Sequence, residues 1–463
     1  MIDTKALRSR VLDLAIQGKL TEQLESDGTA EDLLHSLPKV STKRAGLMKK
    51  NISCNIDYDV PDNWVLAKLG EISSYGDAPN KAVVSECDAN TWILELEEIQ
   101  AGGKLLTKKR VGNSTSIGEK THFKAGQVLY SKLRPYLKKV LVADEDGICT
   151  PEMIAFDVYA DIDPNYMVFC LINSYVDKAI NDRSYGVKMP RVDAAFMVNL
   201  PIPIPPLAEQ KRIVSRVEEI FRLLDIIDAA QEQYAADAES LKAKLITLGI
   251  QGRLTEQLAS DGTAEELYQQ IQAEKQRLIK EGKIKREKPL PEISEDEIPF
   301  EIPENWKWCR LGECIRLQSG QDFKPEDYND NRIGTPYLTG ASNIDADGSL
   351  IINRWTEKPT CIAETNDVLI VCKGSGYGKI TICTIDYAHI ARQFMAVKHS
   401  EFLDSNYMKL FLISKLSVIK GNGQGLIPGI DRPSVLNLEI PLPPLAEQKR
   451  IAETLERVLG ALG

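Results

Sequence analysis

Hydrophobic positions recur along residues 213–248 at steps that alternate between four and three residues. The members of this stripe are Ile213, Val217, Ile220, Leu224, Ile227, Gln231, Tyr234, Ala238, Leu241, Leu245 and Leu248. So narrow a stripe over five heptads predicts a long helix that packs in a coiled coil rather than against a broad core. Pro206 suits the first helical turn, where its missing N–H costs nothing, and Glu209 suits the positive end of the helix dipole. We therefore expect the helix to begin at Pro206.

The start of this helix is repeated at the end of the chain. Residues 205–213 read PPLAEQKRI, and residues 443–451 read the same letters. A second repeat links residues 16–24, IQGKLTEQL, with residues 250–258, IQGRLTEQL. Matches at so long a spacing predict a repeat architecture.

The two repeats together predict how the chain is organised. The carboxyl-terminal helix copies the first half of the central helix and the amino-terminal helix copies its second half, which leaves residues 226–234 without a second copy. The chain is thus expected to be a tandem duplication cut inside one of two antiparallel helices. Met1 and Gly463 should then lie close together, near the level of Gln231.

The segments between the repeated helices open alike and then diverge. Residues 60–64 read VPDNW, and residues 302–306 read IPENW. Short β-branched runs predict strands, and longer apolar stretches predict helices. The predicted strands are 140–143, 153–158, 368–372 and 380–385, and the predicted helices are 166–180 and 407–420.

The predicted fold class is α+β, with two mixed α/β domains separated by a long antiparallel coiled coil. The expected segments are an amino-terminal helical repeat at 1–37, a linker at 38–59, a first domain at 60–205, a central helical region at 206–285, a second linker at 286–299, a second domain at 300–443 and a carboxyl-terminal helix at 444–463.

Composition narrows the class of protein. No apolar run approaches the roughly 20 residues of a membrane span, and the amino terminus lacks the apolar core of a signal peptide, so we expect a cytoplasmic protein. The nine cysteines are scattered without a CxxC pair, which favours neither a disulfide framework nor a zinc site.

Motifs for catalysis are scarce. The sequence has no Walker loop, no Asn/Asp-Pro-Pro-Tyr/Phe motif for base methylation, and four histidines that are not spaced as a metal pair. It therefore favours a protein that is not itself an enzyme. The alternative is a nuclease site at Glu152 or Asp386 with nearby lysines, although carboxylates beside lysines are more often surface ion pairs.

Charge distribution says more than the net charge of −10. Residues 104–139 hold ten Lys and Arg against one acid, Glu119, and this density with interleaved tyrosines predicts a surface that follows DNA phosphates. A solvated face without function is the alternative. A coiled-coil scaffold that binds no nucleic acid would explain the helices but not this segment. The candidates here are Lys104, Lys108, Lys109, Arg110, Lys132, Arg134, Tyr136, Lys138 and Lys139.

Two further loops extend the candidate surface. Residues 373–379, KGSGYGK, fit neither a dinucleotide nor a Walker spacing, and we interpret them as a turn whose glycines let backbone amides approach a phosphate; a plain turn between strands is the alternative. Residues 183–190 align with residues 421–428, just before the strand that leads into a repeated helix. Asn and Gln pair with adenine and Arg with guanine. The candidates are Arg183, Tyr185, Lys188, Lys373, Ser375, Tyr377, Lys379, Asn422 and Gln424.

The repeated PPLAEQKRI, the LRPYLKKV at residues 133–140 and the paired helix repeats resemble the specificity subunit of type I restriction-modification systems. The resemblance implies a non-catalytic, DNA-binding subunit with two target-recognition domains that each read one half of a bipartite target. It also implies two methyltransferase subunits docked on the helices and restriction subunits recruited through them. S-adenosylmethionine, ATP and Mg²⁺ would then be bound by those partners and not by this chain. The expected docking face carries Glu209, Gln210, Arg212, Glu447, Gln448 and Arg450.

Overall fold

The helix expected from Pro206 runs from Leu207 to Ile250 in the computed structural model. The structure describes residues 1–35, 37–50, 52, 54, 56, 58–184, 186, 189–374, 376–421 and 429–462. The chain divides into two units, Met1–Gln233 and Tyr234–Gly463. The long helix therefore contributes its first part to unit 1 and its remainder to unit 2.

Unit 1 combines helices with short strands. Its helices are α1 (Thr4–Ala15), α2 (Glu31–Leu34), α3 (Thr42–Met48), α4 (Leu69–Ile72), α5 (Pro164–Ile172), α6 (Ser174–Arg183), α7 (Ala194–Val198) and the first part of α8 (Leu207–Ile250). Its strands are β1 (Val65–Lys68), β2 (Lys81–Val83), β3 (Trp92–Leu94), β4 (Lys109–Arg110), β5 (Glu119–Phe123), β6 (Val128–Ser131), β7 (Val140–Val142), β8 (Gly147–Cys149), β9 (Met153–Phe156) and β10 (Pro201–Ile204). They form sheets of order β1-β10, β2-β5-β8-β3-β4 and β7-β6-β9.

Unit 2 has the same kind of architecture. Its helices after α8 are α9 (Ala264–Lys280), α10 (Leu311–Cys314), α11 (Ser405–Ser414), α12 (Leu416–Gly421), α13 (Arg432–Leu436) and α14 (Leu445–Ala461). Its strands are β11 (Lys307–Arg310), β12 (Leu317–Ser319), β13 (Thr335–Leu338), β14 (Trp355–Thr356), β15 (Ile362–Glu364), β16 (Val368–Val371), β17 (Ile380–Ile382), β18 (Tyr387–Ile390), β19 (Phe394–Val397) and β20 (Glu439–Leu442). The sheets have the orders β11-β20, β12-β19-β16-β17 and β14-β13-β18-β15.

These elements confirm the α+β class, and β7, β9, β16 and β17 confirm the four predicted strands. The helix predicted over 166–180 is instead two helices, α5 and α6. Asn173 separates them because its backbone is extended and its side-chain oxygen accepts the Val176 amide at 3.0 Å, so that it caps α6. The helix predicted over 407–420 is likewise divided, into α11 and α12. The apolar pattern continues through each break and gives no sign of it.

Helix α1 lies along the first part of α8 within unit 1. The Ile2 amide donates to Gln231 Oε1 at 2.5 Å, and the Arg8 guanidinium lies 2.7 Å from an oxygen of Asp225. Residue numbers rise in α1 as they fall in α8, so the two helices run in opposite directions. Ile2 is therefore level with Gln231. The sequence also predicts that Gly463 lies close to Met1, but Gly463 lies outside the described residues.

The predicted apolar stripe of α8 is buried in the first half of the helix, whereas other residues form the buried face in the second half. Ile213 and Val217 are completely buried in unit 1, whereas Leu241 is 43% exposed. In unit 2 the buried face passes through Gly249 instead, where an added Cβ would lie 2.8 Å from Leu455 of α14. The buried face of α8 in unit 2 is formed by Ile246, Gly249 and Ile250, which corrects the prediction for Leu241 and Leu248.

Each unit has its own hydrophobic core. The core of unit 1 gathers aromatic side chains from β6, β9, α5 and α7, and that of unit 2 from α11 and from the residue just before β11. The largest members include Trp64, Phe156, Tyr166, Phe196, Trp306, Tyr407 and Phe411. Within the part of the chain that the structure describes, no helix has both the length and the apolar character of a membrane span.

Candidate nucleic-acid interface

The LRPYLKK segment forms a turn at the end of β6. Arg134 and Lys138 adopt left-handed backbone conformations with φ of 49° and 50°, and Pro135–Leu137 make one helical turn between them. Pro135 is buried, whereas Arg134 and Tyr136 are exposed, Tyr136 by 49%. The turn thus presents a guanidinium and a phenol to solvent.

The loop that follows α6 lies against this turn. The Arg134 amide donates to the Pro190 carbonyl at 2.7 Å, and the Val192 amide donates to the Lys132 carbonyl at 3.2 Å. Arg183, at the end of α6, has an exposed side chain. Two candidate segments that were recognised separately in the sequence therefore form one surface. Tyr185 and Lys188 of this loop lie outside the described residues.

Unit 2 contains the same arrangement. Strand β16 leads into the turn at 373–379, where Gly374 and Gly378 have φ of 91° and 93°. The Ile430 amide donates to the Cys372 carbonyl at 2.9 Å. An isolated β-bridge joins Lys373 to Gly429, just as one joins Leu133 to Arg191 in unit 1. Ser375, Asn422 and Gln424 lie outside the described residues.

Acidic residues from outside the basic segment neutralise much of its charge. Strand β3 pairs with β4 and runs directly into residues 95–98, which brings their carboxylates beside β4. The ion pairs, with N···O distances of 2.6 to 2.8 Å, are Lys108–Asp144, Lys109–Glu97, Lys109–Glu98 and Arg110–Glu145. The hydrogen bonds that Lys109 donates to Glu97 and Glu98 raise the pKa of Lys109. Lys108, Lys109 and Arg110 thus have carboxylate partners within the protein, and their place on a DNA-binding surface stays a prediction.

The lysines that end the turn also bond to the protein. Lys138 Nζ donates to the Ile172 carbonyl at 3.0 Å and lies 3.0 Å from Asp177. Lys139 Nζ donates to the Leu96 carbonyl at 2.7 Å, and burial lowers its pKa, with the charge of Arg134 adding to the effect. Lys104 is exposed and Lys132 is half-buried. Arg134, Tyr136 and Arg183 are exposed as well, so these three residues and Lys104 are the accessible candidates here.

A cation that the sequence reasoning missed completes the surface of unit 2. Lys420 Nζ lies 4.9 Å from the centre of the Tyr377 ring. Gly378 leaves room for this cation, because an added Cβ there would lie 2.2 Å from the Lys420 side chain. Lys379 Nζ donates to the Ile344 carbonyl at 2.9 Å and so ties the turn to the neighbouring segment. Lys373 is exposed.

The residues expected on a docking face lie largely inside the units. Glu209 and Gln210 are completely buried. Glu209 Oε2 accepts a hydrogen bond from Trp64 Nε1 at 2.9 Å, and Gln210 Nε2 donates to the Pro205 carbonyl at 2.9 Å. Buried polar groups need such partners. Glu209 and Gln210 therefore hold unit 1 together and are not accessible to a docking subunit.

The second copy of the PPLAEQKRI motif makes the same contacts in unit 2. Glu447 accepts from Trp306 Nε1 at 2.9 Å, and Gln448 Nε2 donates to the Pro443 carbonyl at 2.9 Å. Both side chains are completely buried. The arginines are engaged too, since the guanidinium-carboxylate pairs are Arg212–Asp27 at 2.5 Å and Arg450–Asp261 at 2.6 Å. Glu209, Gln210, Glu447 and Gln448 are thus internal contacts, whereas the side chains of Arg212 and Arg450 are paired but remain 33% and 30% exposed.

Glu152, considered above as a nuclease carboxylate, is paired with Arg191. The Arg191 Nε and Nη2 atoms donate to its two oxygens at 3.2 and 2.8 Å, and this contact lowers the pKa of Glu152. The described residues contain no group of three or more His, Cys, Asp or Glu side chains that could hold a metal ion. The pair adjoins the turn at Arg134, and nothing in the local sequence pattern reveals it.

Comparison with known proteins assigns the family. The model of the type I restriction modification DNA specificity domain matches residues 61–233 and 303–462, once in each unit. The chain belongs to this family. The resemblance inferred from the repeated motifs is confirmed.

Relatives of this type I specificity protein align along most of its length. The specificity subunit of the type I restriction enzyme EcoAI from Escherichia coli is 26% identical, over 98% of this chain and 89% of that relative. Among solved structures, one from a study of complex assembly and conformational transition of the type I R-M system has a TM-score of 0.64 at 21% identity, covering 88% of this chain and 92% of the other. The HsdS subunit from Thermoanaerobacter tengcongensis has a TM-score of 0.51 at 20% identity with the same coverage. The chain therefore shares their fold.

Proposed function

We propose that this chain is the sequence-specific DNA-binding subunit of a type I restriction-modification complex, and that each unit reads one half of a bipartite target. The observation that supports this is a surface formed twice, where the turn after a central strand meets the loop after a helix. Cationic side chains on such a surface bind phosphates, and polar side chains between them read base edges.

The two surfaces share a backbone frame and differ in their side chains. Unit 1 presents Arg134 and Tyr136, whereas unit 2 presents Lys373 and the Lys420–Tyr377 pair. Different side chains on the same frame are suited to different half-sites. The bases between the half-sites would remain unread. The chain itself supplies recognition and not catalysis.

The repeated helices would dock two copies of a methyltransferase subunit, and restriction subunits would join through these. Four of the six expected docking residues are buried, and another repeated set suits this role. Its members are identical in the two repeats and exposed in both units: Glu22 and Glu256, Leu24 and Leu258, and Lys211 and Lys449. Internal packing explains identity at buried positions but not at exposed ones, and leucines 36% and 39% exposed suit an intermolecular contact.

The organisation that we propose for the chain is a tandem duplication with an antiparallel coiled coil. The opposite directions of α1 and α8 in unit 1 support it, as does the repeated PPLAEQKRI at the start of α14. S-adenosylmethionine, ATP and Mg²⁺ would be bound by the partner subunits.

Sequencing of modified bases tests the proposed function. DNA from cells that contain this chain and its methyltransferase subunit should carry methylation in a two-part motif with an unread gap. Cells that lack only this chain are the control and should lose that methylation. A continuous motif would contradict the two-surface arrangement, and methylation that persists without the chain would contradict its role in recognition.

A further inference from the structure

One residue occupies the same place in both units, immediately before the strand that pairs with the central strand. In unit 1 it is Glu152, whose carbonyl accepts the Lys132 amide at 3.1 Å. In unit 2 it is Gln393, whose carbonyl accepts the Cys372 amide at 2.6 Å. The strand registers agree, since the facing pairs are Ser131–Met153 and Val371–Phe394. Glu152 and Gln393 are therefore structural equivalents.

The residue that forms a β-bridge to the next position of the turn segment also differs between the two units. Unit 1 has Arg191 there, which bridges to Leu133, and unit 2 has Gly429, which bridges to Lys373. In unit 1 the guanidinium of Arg191 holds the carboxylate of Glu152. In unit 2 a neutral amide replaces the acid and a glycine replaces the arginine. Both members of the unit 1 ion pair are therefore replaced by uncharged residues in unit 2.

The Gln393 side chain is exposed and lies beside the glycine turn. An added Cβ at Gly340 would lie 2.1 Å from Gln393 Oε1, and one at Gly374 would lie 3.3 Å from it. The amide therefore occupies a recess that depends on the absence of a side chain at Gly340. Gly374 belongs to the turn whose exposed Lys373 would face a phosphate. A base-reading group is expected in such a place, beside the phosphate contacts that set its register.

We infer that Gln393 reads an adenine in the half-target bound by unit 2. The inference rests on the proposed function and adds the residue and the base. A carboxamide offers one donor and one acceptor, which match N7 and the N6 amino group of adenine in the major groove. The Glu152–Arg191 pair at the same place in unit 1 cannot make that contact. The specificities of the two units therefore differ at this shared place in the fold, where unit 1 has Glu152 and unit 2 has Gln393.

The test uses the full chain and a library of bipartite duplexes. Gln393→Ala removes the amide, and Gln393→Glu keeps its size but removes the donor. Each should lower the preference for adenine at one position of one half-site by about 5- to 150-fold, the range for one bidentate contact. The other half-site should be read as by the wild type. Gln276→Ala, at an exposed glutamine on α9 of the same unit, should change neither.

Three outcomes would overturn the inference. The variants could retain the preference of the wild type at every position. They could also weaken all duplexes equally, which would make Gln393 a phosphate contact. Third, a wild-type chain that shows no sequence preference would refute the proposed function itself and the inference with it. If thermal unfolding shows that Gln393→Ala is misfolded, Gln393→Glu with a wild-type melting temperature decides the question.

Discussion

Trp64 donates a hydrogen bond to Glu209 at 2.9 Å inside unit 1, and Trp306 donates the same bond to Glu447 inside unit 2. Glu209 also accepts hydrogen bonds from Thr21 and Gln23. One buried carboxylate therefore joins the amino-terminal repeat, the opening of the variable segment and the start of α8. The repeated motifs TEQ, PxNW and PPLAEQ are parts of a single internal contact.

Replacing this carboxylate should destabilise its unit. Glu209→Ala removes the acceptor of the Trp64 N–H and one of the two acceptors of the Gln23 amide. Hydrogen bonds to a charged group contribute about 1.5–3 kcal/mol each to the free energy of unfolding. We expect a loss of at least that size in urea denaturation. Glu218→Ala, at an exposed position of the same helix, is the control. Equal losses in the two variants would contradict the assigned role.

Exposed and paired cations should differ in their effect on DNA binding. Arg134→Ala should weaken binding and reduce the slope of log K against log salt by about 0.9 if one phosphate contact is lost. Lys108→Ala should change the slope little, because Asp144 already lies 2.6 Å from its ammonium group. Filter binding at several salt concentrations measures both. A larger change for Lys108→Ala would mean that its ion pair opens on DNA.

Acid should remove a stabilising contact in unit 2. The backbone and side chain of Ser294 and the guanidinium of Arg310 lower the pKa of Glu297 to about 2 from its ordinary 4.5. A carboxyl group with a lowered pKa stabilises the folded state above its ordinary pKa and loses this effect as pH falls toward the lower value. The melting temperature of Glu297→Gln should therefore lie below that of the wild type at neutral pH, and the difference should shrink between pH 4.5 and pH 2. A constant difference would contradict this.

The repeated exposed leucines should determine how many methyltransferase subunits bind. Leu24→Asp should reduce the number from two to one, and Leu258→Asp should do the same through the second copy, because each substitution places a charge in an apolar contact. Native mass spectrometry of the reconstituted complex gives the stoichiometry. Leu66→Asp, at a leucine 48% exposed on β1, is the matched control. Two subunits bound to the double variant would refute the proposed docking surface.

The sequence by itself determined those features that depend on neighbours along the chain. The repeats placed the start of α8 at Pro206, one residue before its first residue Leu207, and β-branched runs located β7, β9, β16 and β17. The LRPYLKK and KGSGYGK segments were recognised as candidates because their composition is unusual within a few residues. These signals are local, since helix starts, strands and turns follow from backbone and side-chain preferences over short stretches.

Only the tertiary structure decided which polar groups meet. Lys109 and Glu98 become partners through the register of β3 and β4, so a count of charges along residues 104–139 overstated the free positive charge. Glu209 looked like an accessible helical glutamate until the fold brought Trp64 to it. Ion pairing and burial depend on distances through space, which strand register and helix packing set and which periodicity along a single chain does not contain.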